Sequence, residues 1–286
     1  MAENIDAILD KVEESDISSI RNVVVEILQV LNNTSAGAVH LTKIVECDPP
    51  LATRVLRRAN SAMYGHGRSI VDIKEAIICT GFETVKELAL TQKVCEVFEK
   101  SGQTYGYSRN QLWKHSLAVA VFCKLIYRRE FRERGEQAFT AGLLHDLGLV
   151  IEDEFLREPF RCILREAQLN RRNLHELERE TFGFTHADVG SRLFERWQLP
   201  GELIDVIRFH HDIENFNPAF VCLHRTLFVS NFSCQAVSFG FSDAAFTPPE
   251  QRDHCLQDLR MHQQSLDVIQ EEVQKQIMIM EKDGWF

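Results

Sequence analysis

Residues 141–148 read Ala-Gly-Leu-Leu-His145-Asp146-Leu-Gly148. An apolar run that carries an adjacent imidazole and carboxylate at its end, with Gly148 placed to stop it, reads as a helix and not as a strand. Neighbouring residues on a helix project about 100° apart, so both can serve one ion only where a helix end lets the side chains converge. Taken alone, such a pair reads equally as a helix cap or a bonded core histidine.

Outward from this stretch, apolar residues keep recurring at steps of three and four. Ile20, Val23, Val24, Ile27, Leu28 and Leu31 share one face, which is the period of an amphipathic helix. Helices are expected over roughly 4–14, 20–32, 38–46, 49–62, 72–79 and 81–99, with turns at Asn32 to Ser35 and Tyr64 to Gly67. After a polar stretch, Ser101 to Ser108, they resume over roughly 110–130, 136–145, 148–155, 159–170, 173–181, 186–197, 200–210 and 217–235. Thr185 with Asp188 reads as an N-cap and its acidic third helical position. Val237 to Phe241 is the best strand candidate in a chain without long alternating segments. A closing helix after Thr247-Pro248-Pro249 carries Leu266, Ile269, Val273, Ile277 and Met280 as a stripe expected to pack on the bundle. The expected fold is therefore all-α and two-lobed, with a helical lobe over 1–105, a histidine-rich helical lobe over 106–240 and a helical extension over 241–286.

The 286 residues are 44% apolar, enough for a sizeable core, and carry a formal charge of −10. Nucleic acid and anionic membranes are excluded as general partners, because both recruit clustered Lys and Arg. Arg54, Arg57 and Arg58, Arg128 to Arg134, and Arg171 with Arg172 read as solvated helix faces. No apolar run of 18 residues and no basic, apolar leader occurs, which predicts a soluble chain without a signal peptide. The eight cysteines contain no C-x-x-C pair and predict buried, reduced thiols in a cytoplasmic protein.

The histidines decide where chemistry is sought. His115, the pair His145 and Asp146, His186, and the pair His210 and His211 each sit in apolar helical surroundings. Neutral imidazoles and a carboxylate suit iron, manganese, zinc or nickel, and six such groups can hold two ions. His40, His66, His175, His224, His254 and His262 lack such neighbours and read as ordinary surface or core groups. Asn60-Ser61-Ala62-Met63-Tyr64-Gly65 reads as a helix cap and turn, or alternatively as a docking surface. A Gly-rich phosphate loop, a nucleophile elbow and zinc-finger cysteine spacing are all absent.

In this order the ligands resemble those of HD-superfamily phosphohydrolases. Two further stretches, Asp48-Pro-Pro-Leu-Ala-Thr-Arg-Val-Leu-Arg-Arg-Ala-Asn60-Ser61-Ala-Met-Tyr64-Gly65 and Ile73-Lys-Glu-Ala-Ile-Ile-Cys-Thr-Gly81-Phe82-Glu-Thr-Val, resemble the HDOD pattern. It continues through Trp113-Lys-His115-Ser116 and Ala141 to Gly148, and covers roughly residues 17–235. The resemblance implies a bacterial signalling or regulatory domain, with an HD-domain-like second lobe, that is generally regarded as lacking phosphohydrolase activity. In active relatives a late helix supplies a closing Asp. The best register, Ala219-Phe-Val-Cys-Leu-His224-Arg225-Thr, puts Arg225 there, where its charge would oppose a metal. A shift of register brings in Asp205, Asp212 or Asp243 instead. Asp212-Ile-Glu-Asn-Phe stands where HD-GYP phosphodiesterases carry Gly-Tyr-Pro, which withdraws support from cyclic-dinucleotide hydrolysis.

Three readings follow. The first is a non-catalytic regulatory protein acting through a signalling partner or a small ligand, with a vestigial or structural metal site. The second is a metal-dependent phosphohydrolase or cyclic-nucleotide phosphodiesterase in which Asp146 bridges two ions. The third is a nucleotide-sensing module that binds without turnover and pairs a phosphate with Arg225.

Overall fold

The computed structural model describes residues 4–18, 21, 24–25, 41–61, 69–99, 103–241 and 248–282. Among them it is all-α. The only strand-like feature among the described residues is one isolated bridge between Thr104 and Tyr107. The expected helix over 20–32, apart from residues 21, 24 and 25, and the turns at Asn32 to Ser35 and Tyr64 to Gly67 lie outside the described residues, as do Asp243, His40 and His66.

The chain forms two compact units, residues 15–97 and residues 1–14 with 98–286. In the first, helical residues 41–46 precede α2 (Pro49–Ala59), α3 (Ile73–Thr80) and α4 (Phe82–Glu96). Asp48 caps α2 by accepting from the Leu51 amide, and it also pairs with Lys93 of α4 at 2.7 Å. Past the end of α2, Asn60 donates to the Ile70 carbonyl (2.8 Å) and accepts from the Ile70 amide (2.7 Å). That reciprocal pair is the work of a structural cap, in line with the simpler of the two readings of this stretch.

The second unit holds α1 (Ile5–Glu13), α5 (Arg109–Ile126), α6 (Glu136–Leu144), α7 (Leu147–Phe155), α8 (Arg157–Asn170), α9 (Leu174–Phe182), α10 (His186–Arg196), α11 (Gly201–Arg208), α12 (Val221–Ala236), α13 (Pro249–Asp258) and α14 (Gln263–Lys282). Nearly every residue of α5 is buried, because α6, α12 and α14 all pack against it. Of the stripe read from the sequence, α14 buries Leu266, Ile269, Val273 and Ile277, while Met280 is half-buried. The chain was expected to divide near residue 105 with α1 in the first lobe. Instead, α1 buries Ile8, Leu9 and Val12 and packs on α7 and α10, so burial of its apolar face places it with the second unit.

Three local expectations are corrected. Val237 to Phe241 is a turn, because Ser238 and Gly240 take positive φ (56° and 80°) and the Phe241 amide donates to the Gln111 carbonyl at the start of α5. Gly148 does not stop a helix; it lies in the first turn of α7, and the break falls at His145 and Asp146 just before it. Of the eight cysteines, Cys123, Cys234 and Cys255 are buried, while Cys47, Cys162 and Cys222 are exposed on outward helix faces or ends.

Candidate metal centre

α5, α6 and α10 each bring one histidine to the same interior point, and the segment after α11 brings two. The helix break between α6 and α7 lets His145 and Asp146 converge, with Asp146 Oδ2 lying 3.1 Å from His145 Nε2 and 3.8 Å from His115 Nε2. Its other oxygen, Oδ1, lies 3.5 Å from His210 Nε2 and 3.6 Å from His186 Nε2. His186 Nε2 is in turn 3.0 Å from His211 Nε2. The donor atoms therefore form two groups, His115 with His145 and Asp146, and His186 with His210 and His211, and the Asp146 carboxylate stands between them.

Glycine makes this closeness possible. A Cβ at Gly148 would stand 2.0 Å from the His186 carbonyl oxygen, so only a bare Cα lets the start of α10 lie against the start of α7. The Thr185 and Asp188 capping box forms as read from the sequence and begins α10 at His186.

Three of the rings hold the same tautomer by the same device. His145 Nδ1–H donates to the Gly142 carbonyl (2.8 Å), His210 Nδ1–H to the Ile207 carbonyl (2.6 Å), and His186 Nδ1–H to the Glu178 carboxylate (2.8 Å). A neutral ring that donates at Nδ1 keeps its lone pair at Nε2. Three such lone pairs thus face the Asp146 carboxylate, whose Oδ1 is buried without a hydrogen-bond donor. Converging acceptors in a dry interior are satisfied by a cation, so the donor set fits a divalent metal.

Electrostatics agree. Burial alone would push the Asp146 carboxyl up, yet positive charge and N–H donation at His145, His210 and His186 outweigh it and hold that carboxyl well below the ordinary carboxylate range, and with the rings neutral a bound cation would take over that role. Burial also pushes the His210 imidazole down, against the pull of Asp146, which keeps it neutral and available as a ligand.

The predicted site residues meet here, with one exception. Arg225 is turned to Asp258 (Nε to Oδ2, 2.8 Å), to the Ile213 carbonyl (2.7 Å) and over the Phe216 ring (4.7 Å). α12 instead presents Asn231, whose Oδ1 is 2.9 Å from His115 Nε2. Positions 225 and 231 lie about 120° apart around a helix, so the two side chains address different neighbours. His115 Nδ1 donates to the Phe239 carbonyl (3.2 Å), so a neutral ring accepts at Nε2 from the Asn231 amide, whose oxygen and nitrogen interchange by a flip.

Sequence reasoning missed Asn231, Glu178 and His175. His175 stacks on His211 with centroids 4.5 Å apart and planes 13° apart. Asn231 is an amide within a largely apolar helix, and its position in the chain does not say which neighbour it faces. Outside the centre, a cleft of about 520 Å³ lined by His175, Arg179, Thr185, Asp188, Arg208 and His211 reaches the half-buried His211. Its cations are already matched, Arg179 with Asp188 (3.5 Å) and Arg208 with Glu195 (2.6 Å). No helix among the described residues is long and apolar enough to cross a membrane.

Comparison with known proteins gives these features a context. A family model described as the HDOD domain matches residues 17–213. An uncharacterized protein of Treponema pallidum (strain Nichols) is 27% identical over 234 residues, which is 79% of this chain and 43% of that protein. The chain thus spans less than half the length of this curated relative. Among solved structures, an HDOD domain protein of unknown function from Geobacter sulfurreducens superposes with TM-score 0.77 at 26% identity, over 93% of this chain and 92% of that one. A candidate signal transduction protein from Marinobacter aquaeolei gives 0.73 at 19% identity, over 99% of this chain and 66% of that one. A candidate phosphohydrolase from Shewanella amazonensis gives 0.66 at 22%, over 94% and 93%. At these last two identities the likeness is one of fold.

Proposed function

The chain belongs to the HDOD domain family, and from that premise we propose that it is a regulatory signal-transduction protein that binds a divalent metal around Asp146 and does not turn over a phosphate ester. The observation that carries this reading is Asn231. A neutral amide occupies the donor atom of His115, on the late helix where active HD relatives are expected to supply a closing carboxylate. The group formed by His186, His210 and His211 with Asp146 has no such substitution. One ion there is therefore favoured over two.

The residues divide the labour. Asp146 supplies the negative charge, His186 and His210 supply neutral donors fixed by their Nδ1–H bonds, and His211, which also lines the cleft, closes the set. A divalent ion held there would supply Lewis acidity toward an anionic ligand. The cleft volume suits a small ligand, and a signalling protein is the other class of partner. Arg225 is committed to Asp258 and Ile213, so phosphate pairing by Arg225 loses its support.

The alternative, metal-dependent phosphohydrolysis, draws on the placement of Asp146 between two ligand groups. Elemental analysis after growth with iron, manganese, zinc or nickel, combined with phosphodiesterase assays, separates the two. We expect about one ion per chain, lost in Asp146→Ala, with no hydrolysis above buffer. Metal-dependent hydrolysis abolished by Asp146→Ala would overturn the regulatory reading.

A further inference from the structure

Glu178 has no role in the ligand set, yet it is fully buried and gripped at two points by a single residue. The His186 backbone amide donates to Glu178 Oε2 at 2.8 Å, and the His186 ring nitrogen Nδ1 lies 2.9 Å from Oε1 and 2.8 Å from Oε2. His186 opens α10, so its amide is one of the first-turn donors that no helical carbonyl can reach. A cap alone would need only that first bond. Because α9 also supplies a carboxylate to the ring, main chain and side chain of His186 are fixed together.

We propose that Glu178 is a positioning residue for the metal centre: it fixes the His186 imidazole as the Nδ1–H tautomer and aims Nε2 at Asp146, His210 and His211. This rests on reading the centre as a metal site. A carboxylate has two acceptor oxygens and no donor, so both His186 protons are received at once and the Nε2 lone pair is left inside the cluster. The carbonyls that hold His145 and His210 lie three residues before each of them in the chain, whereas His186 starts a helix and has no such local carbonyl. Its anchor has to come from another helix.

A second buried carboxyl adjoins Glu178. Glu152 of α7 is fully buried, and neither of its oxygens receives a hydrogen bond from a donor group. Burial, then Glu178, push its carboxyl well above the ordinary range.

The test reads the ring directly. Nitrogen-resolved NMR of the histidines in the metal-free full chain, assigned with a His186→Gln variant, should show His186 protonated at Nδ1 and bare at Nε2. In Glu178→Gln, with the amide oxygen kept at the Oε2 position that faces the His186 backbone N–H, the amide NH2 takes the place of Oε1, 2.9 Å from Nδ1, where it opposes an Nδ1–H and favours the Nε2–H tautomer. We expect a mixture of tautomers and a 10- to 100-fold loss of Co(II) affinity by calorimetry. Nε2 protonation in the wild type, or wild-type tautomer and affinity in Glu178→Gln, would overturn the assignment. If Glu178→Gln does not fold, the wild-type spectrum decides alone. If the tautomer shifts as expected but neither protein binds Co(II), the positioning role stands and the metal reading falls. If the wild type binds Co(II) and Glu178→Gln binds it equally, the reverse holds.

Discussion

Asn231 Oδ1 lies 2.9 Å from His115 Nε2, closer than the 3.8 Å that separates the same nitrogen from Asp146 Oδ2. An amide therefore stands at the edge of the buried cluster where a carboxylate would complete a second ligand group.

Asn231→Asp should convert the centre from one ion toward two. The added carboxylate joins His115, His145 and Asp146, so a second Mn(II) should bind about tenfold tighter or more than in the wild type, about 1.4 kcal/mol. Without metal, the new buried charge should cost on the order of 1–3 kcal/mol in chemical denaturation. Calorimetry with and without chelator checks both signs, and unchanged stoichiometry would remove Asn231 from the centre.

Gly148→Ala should fail for a steric reason. A Cβ 2.0 Å from the His186 carbonyl oxygen forces α7 and α10 apart, at a cost on the order of 1–3 kcal/mol. The centre should loosen with it and lose metal. Gly201→Ala, where nothing lies within 4 Å, is the control and should stay within about 0.5 kcal/mol. Equal urea midpoints for the two variants would contradict the close approach.

Arg225→Met should cost stability and leave metal content alone. It removes the bonds to Asp258 and the Ile213 carbonyl that tie α12 to α13 and to the segment after α11, for a loss on the order of 2 kcal/mol. A change in ions bound per chain would return Arg225 to the centre.

His224 sets a pH limit. Burial pushes its imidazole down from 6.5 to about 4, and the charge of Arg225 adds to this against the bond from Nε2 to the Phe209 carbonyl. The ring is neutral in the fold, while the unfolded chain takes up a proton below 6.5. The stabilisation is thus complete above that value and is lost as pH falls toward 4, by about 3 kcal/mol. In His224→Phe the slope of unfolding free energy between those values should flatten by close to one proton. An identical slope would show that His224 does not contribute.

Much of this architecture was legible along the chain, because helical periodicity is a local property. The stripe of α14 and the capping box of α10 each follow from the spacing of residues within one helix. The positions of His115, His145, Asp146, His186, His210 and His211 in apolar surroundings identified the centre for the same reason. Gly148 was misread because a glycine after an apolar run signals a stop, while its real constraint comes from the carbonyl of residue 186.

What the sequence determined by itself, then, is the helical class and the His and Asp residues that gather in one buried cluster, since both depend on local spacing and side-chain type. Tertiary structure alone decided which α12 residue faces His115, where the charge of Arg225 goes, and which carboxylate holds His186. Those choices depend on helix rotation and on contacts between elements far apart in the chain, and about 120° around α12 separates the arginine from the asparagine that meets His115.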